Sequence, residues 1–150
     1  MGVFSTLRTS ASALTAERLR MDVIAANVAN METTRTANGG PYRRQRVSFS
    51  PLLQEQTLSV ATSGFSRWQS EPTSAGVRVA AIDEDPSPFR VVYDPSHPDA
   101  DADGNVAYPN VEPITEMTDM LSATRAYEAN VTVLNATKGM AMKALEIGKV

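Results

Sequence analysis

The stretch MTDMLSATRAYEANVTVLNATKGMAMKALEIG, Met117 to Gly148, decides the fold. Along it Met117, Met120, Thr124, Tyr127, Val131, Leu134, Lys138, Ala141, Leu145 and Gly148 follow alternating steps of three and four, and seven of the ten are apolar. That rhythm is a heptad seam on an α-helix. Pro113 suits the first helical turn, where its missing N–H would have no partner anyway. A helix from Pro113 to Ile147 runs roughly 52 Å. Gly139 inside it costs about 1 kcal/mol relative to Ala.

The other end of the chain repeats the pattern. Phe4, Leu7, Ala11, Leu14, Arg18, Met21, Ala25 and Val28 keep the same steps, and seven of the eight are apolar. The spacing predicts a helix over Ser5–Ala29, roughly 37 Å long. Asn27 and Asn30 suit its exit, because Asn competes with the helical backbone and tolerates left-handed conformations. Neither helix buries its stripe alone. The simplest solution packs the two against each other as a coiled coil, with small and soft residues such as Ala11, Ala25, Ala141 and the Met side chains in the seam. A two-helix coil still leaves apolar surface for further copies to cover. An ordinary two-helix core under a sheet accounts for the lengths equally well.

The middle reads differently, and the expected class is α+β. Residues 36–111 are expected to form a small β-rich module inserted between the two parts, 1–35 and 112–150, of one helical domain. TANGGPY is a loop. Val47 and Phe49 alternate with Arg46 and Ser48 as in a strand. Residues 51–75 carry mixed signals and read as irregular. Val77, Val79 and Ala81 alternate on one strand and Phe89, Val91 and Tyr93 on another, so the two are expected to pair as a hairpin turning at Asp85-Pro-Ser-Pro88.

Composition excludes much. With no Cys among 150 residues there is neither a disulfide framework nor a Cys-based metal site. No run of 18 apolar residues occurs, and the N-terminus lacks the apolar core of a cleavable signal peptide. The net charge of −3 is uneven: residues 1–75 carry eight basic and five acidic side chains, residues 76–150 six and twelve. That asymmetry suits head-to-tail contact between copies, or simply two solvated faces. Arg43, Arg44 and Arg46, with Arg35 upstream, form the one basic cluster. An anionic partner and a solvated strand edge are equally good readings of it.

Two features bear on chemistry. DADADGNVAYPN, Asp99 to Asn110, opens like a calcium-binding loop with Asp99, Asp101, Asp103 and Gly104. Position 12, which needs a bidentate Glu, is Asn110, and the flanks are not helices. Asp103-Gly104 therefore reads as turn chemistry, with a secreted calcium-dependent binding module as the alternative function. His97 is the single His and no nucleophile motif surrounds it. No catalytic residue, cofactor site or metal site is assigned.

The sequence resembles a family. MDVIAANVANMETTRT (Met21–Thr36), GGPYRR (Gly39–Arg44), YDPSHPDADADGNVAYPNV (Tyr93–Val111), EMTDMLSATRAYEANV (Glu116–Val131) and MKALEIGK (Met142–Lys149) resemble the bacterial flagellar rod and hook proteins, and among them those of the proximal rod. The resemblance implies a structural, non-enzymatic subunit that assembles helically through its terminal helices and transmits torque across the periplasm. It implies export by the flagellar type III apparatus without a cleaved signal peptide. Other rod proteins, the membrane-ring protein, the rod–base adaptor protein and further copies are the implied partners, with no nucleic acid and no small-molecule substrate. Carried over by motif, the interface candidates are Met21, Ile24, Asn27, Val28 and Asn30 on the first helix. On the second they are Met117, Met120, Arg125, Tyr127, Asn130, Val131 and Leu134. Asn27 and Asn30 have a plain reading as helix-end caps, and Arg125 as a partner of a nearby acid, Glu128 at helical spacing or Asp119.

Overall fold

A computed structural model describes residues 3–37, 39–53 and 74–148. The element order is α1 (Val3–Ala29), β1 (Gln45–Leu53), β2 (Ser74–Glu84), β3 (Arg90–Tyr93), β4 (Asn105–Tyr108) and α2 (Pro113–Ile147). The class is α+β. The second helix starts and stops where its rhythm predicts, with Pro113 in the first turn. Helix α1 begins two residues before the predicted start, and its exit is built by Asn30. The Asn30 N–H donates to the carbonyl of Ala26, its side-chain amide does the same at 2.9 Å, and its Oδ1 accepts from the Thr33 hydroxyl.

The helices pack antiparallel. Asn27 meets Glu116 and Met21 meets Thr124, so position falls along α1 as it rises along α2. On α2 the middle of the predicted seam, Met120 to Leu134 through Thr124, Tyr127 and Val131, is half-buried against α1, around the fully buried Ala123. On α1 the outcome differs. Its buried side chains are Ser10, Ala16, Val23, Ile24 and Asn27, which lie well round the helix from the predicted stripe. The stripe itself leaves Phe4 86% exposed and Ala11 and Ala25 exposed. The reason is the sheet. Helix α1 packs against both α2 and the β1–β2 pair, so the residues between those two contacts are the ones enclosed.

Strands β1 and β2 are antiparallel, from Gln45 opposite Glu84 to Leu53 opposite Ser74, with irregularities after Ser48 and after Pro51. The expected strand at Val47–Phe49 is thus present and longer than its alternation indicated. Residues 51–53, 74 and 75, expected to be irregular, are in strands; the rest of that stretch, 54–73, lies outside the described residues. The hairpin expected between Val77–Ala81 and Phe89–Tyr93 does not form. Strand β2 pairs with β1, and β3 pairs with β4 in a separate two-stranded sheet. The Asp85–Pro88 stretch explains the change. The Asp85 N–H donates to the Arg44 carbonyl at 2.8 Å, and its Oδ1 accepts from the Ser87 N–H and hydroxyl. That closes the β1–β2 ladder, while two prolines without N–H groups carry the chain away from it.

Gly76 marks where β2 meets α1. Its φ is +140°, and a Cβ there would sit 2.4 Å from Ser12 Oγ. That hydroxyl accepts the Val77 N–H at 3.1 Å and donates to the Thr9 carbonyl at 2.7 Å. Only glycine allows the strand this close.

Candidate subunit interface

Two features adjoin where the C-terminal part of α1 crosses the first turns of α2. One is a buried polar junction, the other an apolar groove.

The junction centres on Glu116, which is 0% exposed, and Asn27, 1% exposed. The Asn27 amide donates to Glu116 Oε2 at 3.0 Å and to the Gln45 carbonyl at 2.8 Å. Its Oδ1 accepts from the Gln45 N–H at 2.9 Å and from the Tyr42 hydroxyl at 3.0 Å. The amide therefore mimics a strand partner for Gln45 while holding α2. On its other side Glu116 Oε1 accepts from Arg44 Nε at 2.5 Å, and the same guanidinium reaches Asp119 at 3.2 Å and Asp85 at 3.6 Å. Asp119 also faces Arg20 at 3.6 Å. A buried carboxylate is tolerable only with such partners.

The titration of the junction follows. Burial lowers the Arg44 guanidinium, but its hydrogen bond to Glu116 and the charges of Glu116, Asp119 and Asp85 outweigh that and hold it above its ordinary value. Burial, then the charges of Glu116 and Glu84, push the Tyr42 phenol up. The two hydrogen bonds from Ser87, helped by Arg46 and Arg44, hold the Asp85 carboxyl below its ordinary range. Asn110 completes the frame: its Oδ1 accepts the Arg44 N–H at 2.9 Å, and its amide donates to the Asp85 and Ser87 carbonyls.

In the acidic loop that opens like a calcium site, Asp99 and Asp101 already have partners. Asp101 Oδ1 accepts the N–H groups of Asp103 and Asn105, and Gly104 turns at φ +77°. The turn reading of the Asp103-Gly104 pair holds, with Asp101 as the carboxylate that caps it. Asp99 accepts from the Thr34 hydroxyl at 2.8 Å and faces Arg35 at 3.7 Å. No three acidic or His side chains converge as metal ligands among the described residues.

The groove lies on the opposite side of Glu116. It encloses about 960 Å³ and is lined by Ala25, Val28 and Ala29 of α1 with Ile114, Met117 and Leu121 of α2, among others. Ile114 and Met117 are 74% and 69% exposed. At the far end of the helix pair Met140, Met142, Leu145 and Ile147 are also exposed. A single chain rarely leaves so much apolar side chain in water unless something else covers it.

The residues singled out from the sequence divide between these features. Asn27 is in the junction and Ile24 is buried beside it, lining the polar cleft with Arg44. Val28, Met117 and Met120 line the groove. Met21, Tyr127, Asn130, Val131 and Leu134 are half-buried along the helix pair, Asn130 donating back to the Ala126 carbonyl. Arg125 is exposed, and Asp119, suggested as its partner, is held by Arg20 and Arg44 instead. Glu116, Arg44, Asp85 and Asn110 were not singled out as site residues. An acid in a first helical turn reads as a partner of the helix dipole, so nothing in the chain's pattern marked Glu116.

Comparison with known proteins fits this architecture. Residues 7–35 match the family described as flagella basal body rod protein, and residues 102–147 that described as flagellar basal body rod FlgEFG protein C-terminal. The two matches fall on α1 and on β4 with α2, which sets the class: a flagellar basal-body rod protein. Full-length relatives narrow it. The flagellar basal-body rod protein FlgC of Bacillus subtilis is 52% identical over 99% of this chain and 100% of its own length. That of Borreliella burgdorferi is 46% identical over 98% of both, and that of Escherichia coli O157:H7 38% over 99% and 100%. The chain belongs to the FlgC family. No helix among the described residues is long and apolar enough to cross a membrane.

Proposed function

We propose that the chain is a structural, non-enzymatic subunit of the flagellar basal-body rod. The observation that carries this is near-full-length identity of 52% to a FlgC protein. The groove and the exposed ends of the helices support the finer reading. In the rod, α1 and α2 act as a coiled-coil core domain with residues 36–111 as the inserted module. Neighbouring subunits cover Val28, Met117 and Met120 and the exposed Phe4, Ala11 and Ala25 of the α1 stripe. The neighbours are other rod proteins and further copies, with the membrane-ring protein and the rod–base adaptor at the base. The assembly is helical, belongs to the proximal rod, and transmits torque across the periplasm after export without a cleaved signal peptide.

The test is co-sedimentation. A chain tagged between residues 54 and 73 is expressed in place of the native protein, and detergent-washed basal bodies are isolated. The tag sediments with the rod if the reading is right. A tag that stays soluble while basal bodies form normally refutes it.

A further inference from the structure

Among the described residues, helix α2 packs against α1 and against no strand. Its apolar contacts with α1 are a repeating seam. Seven residues on from Met117, Met120, Thr124 and Tyr127 stand Thr124, Tyr127, Val131 and Leu134, so three of the four positions are apolar before the shift and three after it. On α1 the same spacing gives Leu7, Leu14, Met21 and Val28. A slip of one heptad changes the shapes but keeps the apolar pattern, so the pattern alone discriminates weakly between registers. The polar junction has no such repeat. Asn27 stays bonded to Gln45 and Tyr42 wherever α2 lies, but a slip withdraws Glu116 from both Asn27 and Arg44 and leaves its buried carboxylate unpaired. Glu116 lines both the polar cleft and the apolar groove. The groove itself is built from Ala25–Ala29 of one helix and Ile114–Thr124 of the other, so its shape depends on their register.

We propose that Asn27, Arg44 and Glu116 form a register lock: they select the one alignment of α1 and α2 in which the subunit-docking groove exists. The inference rests on the reading of that groove as a subunit contact. In this account the residues outside the groove's apolar lining decide whether the groove is presented at all. A chain whose lock is open carries the same apolar side chains but not the surface they make together.

Cysteine pairs test it directly, because the chain has no Cys of its own. Met21→Cys is combined in turn with Thr124→Cys, the aligned position, and with Met117→Cys or Val131→Cys, each one heptad away. A heptad is about 10 Å along a helix, and a disulfide needs Cα atoms within about 7 Å. With the lock intact the 21–124 product dominates. The pairs are then placed in Asn27→Leu/Arg44→Met/Glu116→Leu, since apolar replacement of a whole buried ionic group often leaves a protein folded and stable. The displaced products rise about tenfold or more relative to 21–124. Glu116→Gln, which keeps the side chain's shape, moves the ratio the same way by a smaller factor. A preference for 21–124 unchanged within about twofold in the triple variant overturns the proposal. So does failure of the 21–124 pair to cross-link with the lock intact, or loss of the helical circular-dichroism signal in both lock variants. The readout is made on the isolated chain, so it is independent of whether the groove binds a neighbour; that reading fails separately, if a groove variant enters rods normally.

Discussion

Replacing Gly76 with Ala strikes the contact between β2 and α1. The new Cβ would sit 2.4 Å from Ser12 Oγ and 3.2 Å from its Cβ, with the backbone of Thr9 at 3.7 Å. Ser12 cannot simply rotate away, because its hydroxyl accepts the Val77 N–H and donates to Thr9. Holding an L-residue at φ +140° adds about 1–3 kcal/mol. Losing the Val77 bond adds about 1 kcal/mol more. The sum is about 2–4 kcal/mol, or a fall in melting temperature of roughly 5–15 °C for a chain of this size. Urea unfolding of wild type, Gly76→Ala, Ser12→Ala and the double variant measures it. Ser12→Ala removes the obstruction along with the bond, so the double variant is less destabilised than the two single losses added together. The coupling between neighbours should exceed 0.5 kcal/mol. Gly40→Ala, whose Cβ meets nothing within 4 Å although φ is +81°, serves as the strain-only control. Strict additivity, or a Gly76→Ala loss no larger than that of the control, refutes the close-approach argument.

Asn27→Ala leaves the Gln45 N–H and carbonyl, the Tyr42 hydroxyl and one Glu116 oxygen without a partner. It should cost about 3 kcal/mol in the same unfolding assay. Met117→Glu sits on the exposed wall of the groove, so monomer stability should stay within about 0.5 kcal/mol, while sedimentation with basal bodies and spreading in soft agar are lost. Gly104→Ala would bring a Cβ 3.0 Å from the Tyr93 ring and 3.2 Å from Pro95 at φ +77°; a loss of about 1–3 kcal/mol is expected. Stability also falls in acid. The Asp85 carboxyl is held below its ordinary 3.8, so folded chains release its proton more readily than unfolded ones. Its contribution is complete above about pH 4 and disappears as pH falls through the lowered value. Asp85→Asn should flatten that part of the stability–pH curve.

How far the fold could be read from the chain depended on how local its determinants were. Pro113 and the three-and-four rhythm are local signals, and α2 lies where they put it. The α1 rhythm is equally clear, yet the buried face is another one. Periodicity identifies a helix, but which face is enclosed depends on what arrives from elsewhere, here β1 and β2. The misassigned hairpin has the same origin. Alternation marked β2 and β3 as strands, but partner choice was set by the Arg44–Asp85 bond, between residues far apart in the chain. Val28, Met117 and Met120, picked out by the seam rhythm, do line the groove, but of the three only Met117 stands exposed. Glu116 and Arg44 were not legible, since a charge that will be buried looks no different in sequence from one that stays in water.

Leu53 stands opposite Ser74 on the last rung of the β1–β2 ladder. The two strand ends are therefore neighbours, at the end of the ladder opposite the one where Gln45 and Glu84 adjoin the polar junction. For a flexible connection, each doubling of length adds only about 0.6 kcal/mol of closure entropy. Residues added at that rung therefore cost the fold little, whereas residues added beside Gln45 and Glu84 would pull apart the contacts that hold Asn27, Arg44 and Glu116 together.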